Sequence, residues 1–166
     1  MDRRSDITGH PEPRFEAHLA ELGLSLPGPF PPHDPLDAVV IHGLRARTSG
    51  QLPRDLAGAI AHQDVVLTPD SIDAGVEAAR WCALNAVSVL RHALGTLDRI
   101  ERVLSVIGFV KSSPDFVNQP AVIDGASAAL VEIFGDRGRH SRSAIGVSSL
   151  PRGGIVEIEV EVALRG

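Results

Sequence analysis

Tyrosine is absent from this 166-residue chain, and lysine, cysteine, methionine and tryptophan occur once each. A single cysteine, Cys82, excludes an intrachain disulfide and fits a reducing compartment, so a cytoplasmic location is expected. A single lysine, Lys111, leaves one residue able to form a Schiff base, and no Gly-Lys-Ser/Thr phosphate loop can be written around it. Aromatic residues make up only 4%, so the core must be aliphatic. No apolar run is long enough to cross a bilayer, and no apolar signal core follows the polar start Met1-Asp2-Arg3-Arg4-Ser5-Asp6. The net charge of −5 lacks the basic surplus on which general nucleic-acid binding relies. The histidines are scattered, with no pair at ligand spacing on a helix or hairpin, so no metal site is expected.

What the chain does have is 43% hydrophobic residues, ample for one domain's core. Residues 1 to about 13 are polar and read as a mobile tail. Apolar residues around Leu19 and Leu22 predict a short helix from Phe15, ended by Gly23 or Pro27. The proline-rich stretch 27–35 excludes regular structure and reads as an extended connector. Residues 1–37 are therefore read as a tail, a short helix and a Pro-rich connector, followed by an α+β domain over 38–166. In that domain, Val39, Val40 and Ile41 predict a strand or hairpin leading into Ser49-Gly50. Thr68 followed by Pro69 marks a helix start, Val76, Ala79, Ala83, Val87, Leu90 and Leu94 recur at helical spacing, and Gly95 stops the run. A strand is predicted over 100–110 and a second helix from Pro120 to Gly135.

Residues 140–164 carry the most information. They read as two strands separated by Leu150-Pro151-Arg152-Gly153-Gly154. In the second, Val156, Ile158, Val160 and Val162 point one way and Glu157, Glu159 and Glu161 the other. If the two strands pair across that turn, Arg142 and a glutamate approach each other, and a guanidinium beside a carboxylate suits a small anionic substrate. The predicted order is β-β-α-β-α-β-β, an α+β layering with both helices on one face of a single sheet.

Three segments carry a resemblance. Arg142-Ser143 with its apolar strand, Leu150-Pro151 and Val156-Glu157-Ile158-Glu159 resemble the C-terminal signature of the Rid family of reactive-intermediate imine deaminases, also called YjgF or L-PSP. Ser49-Gly50-Gln51-Leu52-Pro53 and Gly108-Phe109-Val110-Lys111 are similar to two further motifs of that family, in the same order. The resemblance covers roughly residues 38–164. The N-terminal piece, the run Ala78–Asn85 and residues 138–142 look like a less characterised branch.

The resemblance implies a chorismate-mutase-like fold, a homotrimer with sites between subunits, and hydrolysis of reactive enamines or imines to ketones and ammonia without a cofactor. It implies that Arg142 holds the substrate carboxylate, that Glu157 positions water or moves a proton, and that Ser49 and Gly50 supply backbone near the substrate. Asp124 or Ser127 stands near the family's pocket Asn. Gln51 reads as structural and Cys82 as core. Two positions depart from the family: Ala144 stands where a Cys is frequent, and no Tyr lines the pocket, for which Phe30 offers a ring without a hydroxyl. A substrate that differs from the founding branch's follows. The rival readings are a non-catalytic trimer binding a small metabolite or partner, and a tailoring enzyme on an imine-like intermediate; neither nucleic acid nor membrane is expected as a partner.

Overall fold

Valine and isoleucine alternate with glutamate along residues 156–162, and that period of two builds the central strand of the molecule. The computed structural model describes residues 14–166; the polar segment read as a mobile tail lies outside the described residues. Five strands, β1 (Val39–His42), β2 (Arg45–Thr48), β3 (Ile100–Lys111), β4 (Ser141–Val147) and β5 (Val156–Leu164), form one sheet in the order β1-β2-β5-β3-β4. Neighbours are antiparallel except β3 and β4, which run parallel. Helices α2 (Ile72–Leu94) and α3 (Gln119–Phe134) cover one face of this sheet.

Each element follows from local chemistry. At the start of α2, the Thr68 backbone N–H donates to Ser71 Oγ at 2.9 Å within a capping box, with Pro69 opening the first turn. Gly95 ends the helix at φ +79°, a left-handed cap that favours glycine. The core between helices and sheet is aliphatic, with Val87, Leu90, Ile123, Ile133, Ile158 and Val160 fully buried. Gly125 lets α3 lie directly on α2, since a Cβ there would stand 2.1 Å from the Val76 carbonyl oxygen. Cys82 is buried in this core, as expected, its thiol donating to the Val156 carbonyl at 3.4 Å.

Two features differ from the sequence reading. First, β4 and β5 do not pair across residues 148–155. β3 inserts between them, so the approach of Arg142 to a glutamate through a hairpin does not occur. The turn explains why: Pro151–Gly153 is a 3-10 turn with Arg152 at φ +56° and Gly153 at φ +69°, which sends the chain over the end of β3. Second, the N-terminal helix α1 (Phe15–Glu21) belongs to the same core as the rest. Phe15 packs edge-on against Phe134 at 4.8 Å, and Glu16 Oε1 accepts from the Leu97 N–H at 2.9 Å. No helix among the described residues is long and apolar enough to cross a membrane.

Candidate active site

The side chains of β5 that alternate with the buried valines emerge on the sheet face away from the helices. Glu159 and Glu161 are neutralised there by Arg47 and Arg45 of β2, the second pair at 3.1 Å. Glu157 has no hydrogen-bond or ion-pair partner among the described residues. The reason is a change in strand register. Arg47 stands opposite Glu161 and Gln51 opposite Ile158, so four steps along the β2 side answer three along β5. The extra residue is a bulge at Thr48–Gly50. Thr48, 3% exposed, fills the gap by accepting from the Val160 N–H through its hydroxyl at 3.1 Å. The ladder then resumes through paired Gln51 and Ile158 backbone bonds of 2.8 and 3.1 Å.

This bulge lays Gly50 against Glu157 so closely that a Cβ on Gly50 would stand 1.8 Å from Glu157 Oε1. Only glycine admits the carboxylate at that place. Ser49 is fixed by its N–H donating to the Ala38 carbonyl at 2.9 Å, and the Gln51 amide donates to the Ser49 carbonyl at 3.0 Å, the structural role read for Gln51. Burial, and then the charge of Glu159, push the Glu157 carboxyl above the usual carboxylate range. A half-buried carboxyl, unpaired among the described residues and with its pKa raised, is suited to accept and return a proton.

Glu157, Ser49 and Gly50 line one cavity of about 360 Å³, within the range of small-molecule sites. The connector that the sequence presents as a spacer forms one wall of it through Phe30, Pro31 and Pro32. Three polar residues on the wall went unnoticed in the sequence. Asn85 of α2, 2% exposed, donates through its amide to the carbonyls of Arg54 at 2.7 Å and Trp81 at 2.8 Å. The Arg54 guanidinium lies 5.0 Å over the Phe30 ring and donates to the Gly58 carbonyl at 3.0 Å. Arg152 stands at the rim, its NH2 3.4 Å from His33 Nε2. The run ending Trp81-Cys82-Ala83-Leu84-Asn85 was the available signal for Asn85; Arg54 and Arg152 sit on loops with no periodic pattern.

Arg142 is elsewhere. It lies on the edge strand β4 opposite Val106, whose side chain is buried under the helices, so Arg142 and Glu157 occupy opposite faces of the sheet in one chain. Its NH1 donates to Asp124 Oδ1 at 2.8 Å and to Ser127 Oγ at 3.0 Å, joining both alternatives read for the pocket Asn position to the same guanidinium. Ser127 Oγ is also 3.0 Å from His140 Nε2, and His140 Nδ1 is 2.6 Å from the Gly138 carbonyl. That carbonyl can only accept, which assigns the proton to Nδ1 and leaves Nε2 to accept from the Ser127 hydroxyl. Burial above all, opposed by the Gly138 bond and aided by the charge of Arg142, holds the imidazole below its ordinary pKa. The arginine is thus clamped through NH1, with Nε and NH2 left as donors among the described residues. Among the described residues no cluster of His, Cys, Asp and Glu has the makings of a metal site.

Comparison with known proteins agrees with this architecture. The model of the YjgF/chorismate mutase-like family, whose endoribonuclease label is provisional, matches residues 16–159. Protein TCP17 of Trypanosoma cruzi is 42% identical over 154 residues, which are 91% of this chain and 94% of that protein. Among solved structures, the protein Atu1372 of Agrobacterium tumefaciens, of unknown function, is 37% identical, with a TM-score of 0.81 over 92% of this chain and 94% of that one. A Shewanella oneidensis protein provisionally called an endoribonuclease is 31% identical, with a TM-score of 0.83 over 90% and 99% of the two chains. The chain belongs to the YjgF/chorismate mutase-like family.

Proposed function

We propose that this member of the YjgF/chorismate mutase-like family hydrolyses reactive enamines and imines to ketones and ammonia. The observation that carries the reading is Glu157: an unpaired, half-buried carboxylate with a raised pKa, fitted against Gly50 in a metabolite-sized cavity. Water adds to the C=N carbon while the Glu157 carboxylate takes its proton. That proton passes to the former imine nitrogen to give the carbinolamine. Glu157 then takes the carbinolamine hydroxyl proton and delivers it to the same nitrogen, which leaves as ammonia as the C=O forms. An enamine enters by taking a proton at carbon to become the imine. One carboxylate in two protonation states serves both steps, which is what a pKa displaced toward neutrality provides.

The substrate carboxylate is held by Arg142 of a neighbouring copy. In one chain Arg142 is on the wrong face for Glu157, whereas a homotrimer with sites between subunits brings the two together. Partly uncovered apolar side chains support self-association: Val40 is 59% and Ile145 45% exposed, on the two edge strands of the sheet. The available Nε and NH2 of Arg142 present a fork for a carboxylate, and the Ser127–His140 chain holds that fork still.

RNA cleavage finds less support. The chain is acidic, and the His140 ring is committed to Gly138 and Ser127.

The test is competition with semicarbazide for imines generated in situ from amino acids by an oxidase. Wild type is expected to lower semicarbazone formation and Arg142→Ala to fail. If wild type never competes with the trap for aliphatic, aromatic or acidic imines, the deaminase reading is wrong. A monomer mass by light scattering at micromolar concentration would remove the shared site.

A further inference from the structure

The Glu157 cavity has a second pole that the proposed chemistry does not use. Most arginines on the described surface pair with a carboxylate, among them Arg45, Arg47, Arg80, Arg91 and Arg142. Arg54 and Arg152 do not, and both line this cavity. They are near enough for repulsion from Arg152, after burial, to lower the Arg54 pKa. Neither relieves Glu157, whose carboxyl responds to burial and to Glu159 instead. The cavity is therefore lined by a carboxylate and two guanidiniums, none of them in an ion pair among the described residues, with the guanidiniums near enough to repel each other.

The molecule maintains this arrangement at a cost. Arg152 adopts φ +56°, ψ +24°, a left-handed conformation that is unfavourable for a residue with a Cβ. Its turn is pinned by Gln63 donating to the Arg152 carbonyl at 2.9 Å and the Asp64 N–H donating to the Gly153 carbonyl at 2.8 Å. Arg54 is positioned from behind by the buried Asn85 amide, which holds its carbonyl at 2.7 Å, and from one face by Phe30. Those contacts use one guanidinium face and NH1, leaving Nε and NH2 as donors among the described residues. Two such cations, oriented and without a counter-ion, are arranged for an anion.

We propose that Arg54 and Arg152 bind a second carboxylate of the substrate, so that the chain acts on dicarboxylic imines and enamines, the products of oxidising acidic amino acids or dehydrating their β-hydroxy derivatives. The assignment rests on the deaminase reading, in which Arg142 of a neighbouring copy takes the first carboxylate. Asn85 acts as a positioning residue for Arg54.

The experiment uses the full chain and compares the imines of aspartate and glutamate with those of leucine and methionine, under semicarbazide competition. Wild type is expected to favour the dicarboxylic imines by at least tenfold in kcat/KM. Arg54→Gln and Arg152→Gln should each lower the dicarboxylic value about thirtyfold through KM, and the monocarboxylic value less than threefold. Equal or better use of monocarboxylic imines, or an equal loss on both classes in the variants, overturns the proposal. Calorimetry with succinate, butyrate and inorganic phosphate separates this outcome from failure of the chemistry. If no imine is hydrolysed but succinate binds at least tenfold tighter than butyrate, and Arg152→Gln removes that difference, the dicarboxylate site stands without the deaminase. Phosphate binding tighter than succinate, or succinate no tighter than butyrate, rejects the dicarboxylate.

Discussion

Three glutamates project from the same face of β5, yet its two ends have different chemistry. At the end beside β2, Glu159 and Glu161 are matched by Arg47 and Arg45 in ion pairs. At the other end Glu157 meets Gly50 across a bulge and has no cation partner among the described residues. The facing segment explains both: Arg45-Ala46-Arg47 places an arginine at every second position, and Ser49-Gly50 replaces the next one with a residue lacking a side chain. Position along one strand, rather than residue type, separates a solvated glutamate from a candidate base.

The most disruptive change is at Gly50. Gly50→Ala places a methyl where Glu157 Oε1 now lies, 1.8 Å from the ideal Cβ position, so the carboxylate or the bulge must move. Displacing a reacting group by about 1 Å costs on the order of a hundredfold in rate, and overpacking at such a site costs about 1–3 kcal/mol in stability. Initial rates on in-situ imines together with urea unfolding measure both. Unchanged turnover would mean that Glu157 is not the base.

Next comes the carboxylate itself. Glu157→Gln keeps the shape and removes the base, and turnover should fall on the order of 10²- to 10⁴-fold, the range for general acid–base catalysis. Thermal stability should rise at neutral pH, because an amide does not resist desolvation as a charge does. The sign follows from linkage: the folded Glu157 pKa is raised, so the folded state binds more protons, and stability is lost as pH rises from the ordinary glutamate range through the raised value. The advantage of Glu157→Gln over wild type should therefore be absent in acid and open as pH increases. In contrast, Glu161→Gln should alter turnover less than twofold and stability by less than about 1 kcal/mol, as for an exposed ion pair.

Much of this was legible in the sequence, and the exceptions have physical causes. Helix α2 announced itself because Thr68, Pro69 and Gly95 punctuate a run whose apolar spacing matches its buried face. The two-residue period of β5 is local and was readable, as was the family resemblance carried by Arg142, Leu150-Pro151 and Glu157. The neighbours of β5 were not readable. Chain proximity favours pairing β4 with β5, whereas the structure pairs β5 with β3 over nine registered positions, and the left-handed Arg152 gives no sign of this in its composition. The bulge and the guanidinium pole also depend on how distant loops meet. The prolines of residues 27–35 state that the connector is irregular but not that Phe30 reaches Arg54.

The smallest expected effect is the sharpest comparison, because it separates two glutamates on the same face. If Glu157 is the base, kcat/KM rises with pH along a limb set by its free-enzyme pKa, and that limb should stand above the ordinary carboxylate range. Burial is the larger cause of the displacement and the charge of Glu159 the smaller. Glu159→Gln removes the smaller cause and frees Arg47, whose charge also favours the ionised form, so the limb should move toward lower pH. It should not return to the ordinary range, because burial persists. Glu161 is not among the causes, and Glu161→Gln should leave the limb in place. The acidic shift in Glu159→Gln should shrink with added salt, since the charges involved are partly exposed. A limb unmoved by Glu159→Gln, or moved equally by Glu161→Gln, would assign the titration to a group other than Glu157.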